Sequence, residues 1–267
     1  MSAATTETRA TGADYARILL NVVGAVGQIA IGFFADVGAV SDEFSSPIVP
    51  AGYAFAIWGV IFLLLLAYAV YQAMPGRAAD PLLRRIGWFT GLAMIGDTVW
   101  TWVFTERLFI PAQVLIFAIG ACAIAALLRY AEWFSVREPS AFERWVIGPG
   151  VGLIAGWLNA AMFVGLAGTL ISQGAANSGP GAEYGGAGLL LFAAGVAAWV
   201  LVKASAGPAT AWAPYGAAVI WAAAGVIVKH LDRSTVVAAV AALIILAVLG
   251  MLALLARNRP ASALSPA

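Results

Sequence analysis

The sequence predicts an all-α, polytopic membrane helix bundle with about eight transmembrane helices, and three observations carry that prediction. Of the 267 residues, 63% are hydrophobic and only 10% are charged, whereas a soluble domain carries about a quarter charged residues. So few charges cannot cover a water-facing surface, so the exterior must face lipid. The mean hydropathy is +0.93. Apolar runs of about 20 residues, the length needed to cross a bilayer, recur along the chain between short polar breaks.

The elements follow in order. Residues 1–14 are polar, rich in Ser, Thr and Ala, and are expected to form a disordered cytoplasmic tail. A first span is expected over roughly 15–37. It is long for a signal-peptide core and contains Asn21 and Gln28, so it reads as a retained helix. The run Asp42-Glu43-Phe44-Ser45-Ser46-Pro47 cannot stay in hydrocarbon and is expected to be a loop. Pro50-Ala51-Gly52 then opens an aromatic-laced second span over roughly 51–74, which Pro75-Gly76-Arg77 ends. The third span, roughly 84–105, turns at Glu106-Arg107 into a fourth over roughly 109–129. Ser140, with Glu143 three residues on, has the pattern of a helix N-cap, and the fifth span is expected over roughly 145–172. Residues 173–186 form a loop rich in Gly, Ala, Asn and Ser. Three more spans are expected over roughly 187–204, 208–229 and 235–256, followed by a second cytoplasmic tail over 257–267. Pro50-x-Gly52 before Trp58 is echoed by Pro214-x-Gly216 before Trp221, a faint sign of an internal repeat.

Basic residues orient such a bundle, because cytoplasmic segments retain Lys and Arg. With the N-terminus inside, eleven of the fourteen basic residues fall on the cytoplasmic side: Arg9, Arg17, Arg77, Arg84, Arg85, Arg129, Arg137, Arg144, Lys203, Arg257 and Arg259. Only Arg107, Lys229 and Arg233 fall outside. The bias supports an even number of spans, both termini cytoplasmic, and a location in the cell membrane. A net charge of +1 offers nothing to nucleic acid. The single cysteine, Cys122, excludes an intrachain disulfide, and no metal-spaced cluster exists. His230 is the only histidine, which removes most hydrolase and metal mechanisms, so the protein reads as a non-enzyme. Abundant Gly and Ala permit the close helix packing of a homodimer.

Two polar residues lie deep in the expected spans. Asp97, in Gly96-Asp97-Thr98-Val99-Trp100, costs about 2.5–3.5 kcal/mol to insert at mid-membrane, so it should face the bundle interior. No Lys or Arg lies at its depth, leaving Thr101, Asn21, Gln28, Asn159 or an indole as partners. It reads as a neutral hydrogen-bond donor, a proton carrier, or a structural link between helices. Asn159, in Gly156-Trp157-Leu158-Asn159, reads equally as helix–helix glue or as a ligand contact. Asn21 and Gln28 are seven apart on one helix face, and glue is expected of both. Among the tryptophans, Trp88, Trp133, Trp145, Trp199 and Trp212 fall at span ends, where indoles anchor to headgroups. Trp58, Trp100, Trp102, Trp157 and Trp221 lie deeper, and Trp100 shares a face with Asp97 and Phe104. Lys229 sits too close to the membrane edge for a retinal Schiff base.

These residues resemble the tryptophan-rich sensory protein family, the TspO and translocator-protein group. That family opens its second helix with a Pro/Trp/Phe-rich motif ending in a Trp, carries Leu-Asn-x-x-Trp in its third and Leu-Asn in its fifth. Trp58 matches the first element, Trp100 the second and Leu158-Asn159 the third. The family's paired prolines are replaced by Pro50-Ala51-Gly52, and its Asn before the third-helix Trp is Asp97. The resemblance covers residues 15–172 and implies a five-helix unit, here with a three-helix extension over 187–256. It further implies a pocket for a flat apolar molecule, a tetrapyrrole (porphyrin- or haem-like) or a sterol. Tyr53, Phe55, Trp58, Trp100 and Trp157 are the expected walls, and Asp97 and Asn159 the expected anchors. The resulting expectation is a membrane protein that senses or transports such a ligand; the alternative is a proton-coupled transporter with Asp97 as the proton carrier.

Overall fold

The structure is a computed structural model and describes residues 9–258. The rest of the two expected tails, 1–8 and 259–267, lies outside the described residues. The described chain is built from nine α-helices: α1 (Gly12–Ile31), α2 (Val37–Glu43), α3 (Ile57–Ala73), α4 (Pro81–Thr105), α5 (Phe109–Trp133), α6 (Gly148–Ser172), α7 (Pro180–Ala204), α8 (Ala209–His230) and α9 (Thr235–Arg257). A 3-10 turn, Gly52–Ala56, leads into α3, and a π turn, Glu143–Ile147, leads into α6. Seven helices, counting those two turns with the helices they open, are long and apolar enough to cross a membrane. The exception among the long helices is α4. Its 25 residues suffice in length, but Arg84, Arg85 and Asp97 lower its hydropathy. It lies along α1, with Gly87 against Arg17 and Gly27 against Thr98, so eight helices of spanning length make up the bundle.

Local chemistry sets the helix starts. Asp80 caps α4 by accepting from the Leu82 and Leu83 N–H groups at 2.9 and 3.3 Å, and Pro81 occupies the first turn, where its missing N–H costs nothing. Ser140 and Glu143 form the expected reciprocal box, with Ser140 N donating to Glu143 Oε2 at 2.7 Å and Glu143 N to Ser140 Oγ at 3.4 Å. The π turn that follows ends at Gly148-Pro149, where the proline has no N–H to continue the regular ladder. Ser234 caps α9.

Several expected boundaries are corrected. The N-terminal tail was expected to run to residue 14, but α1 begins at Gly12, because the Asp14 carboxylate accepts from the Thr11 N–H at 2.9 Å and fixes the first turn. The first span ends at Ile31 rather than near 37, and the expected loop after it contains α2, capped by Asp36 on the Ala39 N–H. The Gly-rich loop is half the expected length: Pro180 starts α7 seven residues before the expected 187. Pro214 lies inside α8 whereas Pro50 precedes its helix, so the two Pro-x-Gly sites are not equivalent in structure.

The bundle has two distinct ends. At the end where α1 begins and α9 ends, Arg84 holds Asp14 at 2.6 Å and Arg85 holds Glu132 at 2.6 Å. Arg17, fully buried, donates to Gln72 Oε1 at 3.0 Å and to the Ala78 carbonyl at 2.7 Å. At the other end, Arg107 holds Glu43 at 2.7 Å and Lys229 holds Asp42 at 3.3 Å. There the Ala51 N–H also donates to the Gly225 carbonyl at 2.9 Å, anchoring the chain before α3 against α8. Along the middle, α6 and α8 approach so closely that a Cβ on Gly152 or Gly156 would meet the carbonyl oxygens of Ala211 and Tyr215. This contact ties α8 to the centre of the bundle, and α9 and α7 pack around it.

Candidate functional site

A cavity of about 480 Å³ opens beneath α2 and reaches the middle of the bundle, within the usual range for small-molecule sites. Its lining comes from one half of each helix: from Gln28 onward in α1, from Asp97 onward in α4, up to Ile116 in α5 and from Trp157 onward in α6. The other half is filled. There Asn21 donates to the carbonyls of Arg17 and Gly87 at 2.8 and 2.7 Å, and Thr90 donates to Asn21 Oδ1 at 2.7 Å. The cavity therefore occupies the half of the bundle under α2, whose Val37, Gly38, Ser41 and Asp42 join its lining as a roof.

Two aromatic arrays form the walls. On α3 and α6, Trp58 stacks on Phe62 at 5.1 Å and meets Trp157 edge-on at 6.2 Å, and Phe55 meets Trp157 at 5.6 Å. On α4, Trp100 stacks on Phe104 at 5.0 Å, which continues to Phe109 at 5.7 Å. The helical period explains the second array, since residues three and four apart share a face.

Five polar side chains are buried in this apolar lining: Gln28, Ser46, Asp97, Thr101 and Asn159. Gln28 is 1% exposed, Asp97 3% and Asn159 1%. Gln28 and Asp97 come from the same layer, because Gly27 of α1 lies against Thr98 of α4; Asn159 comes from α6 across the bundle. Asn159 Nδ2 donates to the Ala193 carbonyl at 3.1 Å. Among the described residues, no hydrogen-bond partner meets Gln28 Oε1 or Nε2, Asp97 Oδ1 or Asn159 Oδ1. Thr101, an expected partner of the acid, donates instead to the backbone carbonyl of Asp97 at 2.9 Å. Buried polar atoms are nearly always paired, so four such atoms in the lining of one cavity point to a partner from outside the chain.

A family model described as TSPO-like protein matches residues 15–255. The chain belongs to the TSPO-like protein family. The match takes in α7, α8 and α9 as well as the earlier helices, and all three of these contribute to the cavity lining, through Leu190 and Ala193, Val219 to Lys229, and Ile244. No match was found among curated proteins or among solved structures.

In this TSPO-like chain the expected residues Phe55, Trp58, Asp97, Trp100, Trp157 and Asn159 all line the one cavity. Tyr53 does not, and is corrected. It is 46% exposed and packs edge-on against Trp221 at 5.5 Å, because the 3-10 turn aims Phe55 inward and Tyr53 away. Gln28 is the residue the sequence reading misplaced. It was expected to be glue like Asn21, yet its amide meets no partner among the described residues and it belongs to the cavity lining; its polarity near the end of an apolar span was the available signal. Trp212 was expected at a headgroup interface and is instead 2% exposed. Trp221 donates its indole N–H to the Ala54 carbonyl at 2.7 Å, bracing the turn that positions Phe55.

Proposed function

We propose that this membrane protein binds a flat, largely apolar small molecule, of the tetrapyrrole or sterol type, in the cavity beneath α2. Phe55, Trp58, Trp100 and Trp157 form its walls, and Asp97, Asn159 and Gln28 hydrogen-bond its polar edge. The observation that carries this reading is the convergence of unpartnered buried polar atoms in an aromatic-lined cavity. An apolar cavity serving only as a packing defect has no use for them, and each costs free energy while unpaired.

Haem iron is not served by this lining. Among the described lining residues there is no histidine, cysteine, methionine or tyrosine, the side chains that ordinarily hold it. His230 bonds the Val49 carbonyl at 2.9 Å instead. A tetrapyrrole in this cavity is held by shape and hydrogen bonds, in metal-free form.

Protoporphyrin IX dimethyl ester, a flat and uncharged tetrapyrrole with ester carbonyls along one edge, tests the site. Titrated into the purified protein in non-ionic detergent, it should quench tryptophan fluorescence saturably. Trp100→Ala and Asp97→Ala should each weaken binding by about tenfold or more, as for loss of a buried anchor. Unchanged binding in both variants overturns the site. Uptake into proteoliposomes driven by a pH gradient, and lost in Asp97→Asn, establishes the proton-coupled transporter instead.

A further inference from the structure

The polar groups of the cavity carry information about charge that its shape does not. Four charged residues line it: Asp36, Asp42 and Asp97 against Lys229. Lys229 is already paired with Asp42 at the roof. Asp97, at the floor, takes part in none of the seven ion pairs found among the described residues. Across from it, Asn159 gives one of its two amide N–H groups to the Ala193 carbonyl and leaves Oδ1, an acceptor, without a partner among the described residues. The lining thus offers a carboxyl and an amide oxygen from opposite walls, and no free cation. The neighbouring surfaces are the stacked faces of Trp100 with Phe104 and of Trp58 with Phe62, whose π-clouds attract positive charge.

We infer that the ligand of this cavity carries a positively charged nitrogen, and that Asp97 is its counter-ion, with Asn159 Oδ1 accepting from the ligand and the Trp58 and Trp100 rings lying against it. The inference rests on the binding role proposed for the cavity and narrows it to flat aromatic or polycyclic cations. A buried carboxyl without a cation is costly, and a ligand that brings the missing charge relieves that cost. A ligand with an anionic edge meets Asp97, Asp36 and Asp42 with no unpaired base to answer it. Gln28, with both amide atoms free, turns either end toward the ligand and sets no sign of its own.

A pair of probes with one ring system separates charge from shape: 10-methylacridinium, permanently cationic, and 10-methylacridone, uncharged. Both are titrated into the full-length protein in non-ionic detergent and followed by their own fluorescence. The cation should bind about tenfold or more tightly than the acridone, as expected for a close, desolvated charge pair. Asp97→Asn, which preserves size, should abolish that preference, the cation losing more affinity than the acridone, and Asp97→Glu should keep the preference. Trp100→Ala should weaken both probes. Equal affinities for the two probes in the wild type, or a preference that survives Asp97→Asn, overturn the inference while leaving the binding site standing. If neither probe responds to Trp100→Ala, the site itself is wrong and the inference falls with it.

Discussion

Asn21 and Gln28 lie seven residues apart on one face of α1, yet the bundle uses them differently. Asn21 meets the Gly87 carbonyl and the Thr90 hydroxyl where α1 and α4 touch, and Gln28 reaches the level at which the helices part around the cavity. Sequence spacing reports the shared face; only the tertiary arrangement decides which residue finds a partner. Glycines show the same dependence on context. A Cβ on Gly156 would meet the Tyr215 carbonyl oxygen and approach the Ala218 Cβ to 2.9 Å, whereas one on Gly195 meets nothing within 4 Å. One substitution should therefore act with opposite signs at the two sites. Gly156→Ala should destabilise the protein by about 1–3 kcal/mol through overpacking. Gly195→Ala should leave stability equal or raise it by up to about 1 kcal/mol through helix propensity. Thermal unfolding in detergent, read by circular dichroism, checks both. A Gly156→Ala protein that melts with the wild type contradicts the close α6–α8 approach.

At the level of elements, most long helices were legible because each needs about 20 apolar residues and ends at a residue that cannot stay in hydrocarbon. The exception was instructive. Nothing in the 38–50 segment has the length or periodicity of a membrane helix, so α2, seven residues long, was hidden inside an expected loop. Its position depends on two contacts that no local pattern encodes: Asp42 to Lys229 of α8, and Glu43 to Arg107 in the turn between α4 and α5. These pull the C-terminal end of α2 from opposite sides of the cavity mouth. Both are exposed in part, and such pairs contribute about 0.2–1 kcal/mol each. Removing both, as Arg107→Met with Lys229→Met, should leave global stability nearly unchanged while loosening the roof. Dissociation of a bound probe, measured by stopped-flow fluorescence, should then speed up by a few-fold, within the roughly fivefold per pair that those energies allow. High salt should bring the wild-type rate toward the variant's by screening the same pairs. An unchanged rate in the double variant means that α2 does not gate the mouth.

For the whole molecule, composition and the placement of breaks sufficed to give a helical membrane bundle, and the deep positions of Asp97, Trp100, Trp157 and Asn159 led to four residues that line one cavity. That the cavity occupies one half of the bundle, under α2, was not legible, because it depends on which halves of eight helices pack together. The same asymmetry bears on orientation. Ten of the eleven basic residues expected in the cytoplasm are among the described residues, and the Arg84–Asp14, Arg85–Glu132 and Arg144–Glu138 pairs all belong to the end where α1 begins and α9 ends. Cytoplasmic retention of Lys and Arg predicts that this end lies inside the cell and the cavity mouth outside. The prediction is open to a direct chemical test, because Cys122 is the only cysteine. In a Cys122→Ser background, Ala176→Cys places a thiol in the short turn before α7, at the mouth end, and Val136→Cys places one after α5, at the opposite end; both positions are exposed. A membrane-impermeant maleimide applied to intact cells should label Ala176→Cys fully and Val136→Cys only after lysis. The reverse pattern would turn the mouth toward the cytoplasm, so that ligand would have to arrive from inside the cell. Equal labelling of both sites in intact cells would contradict a bundle of eight spanning helices with its two ends on opposite faces of the membrane.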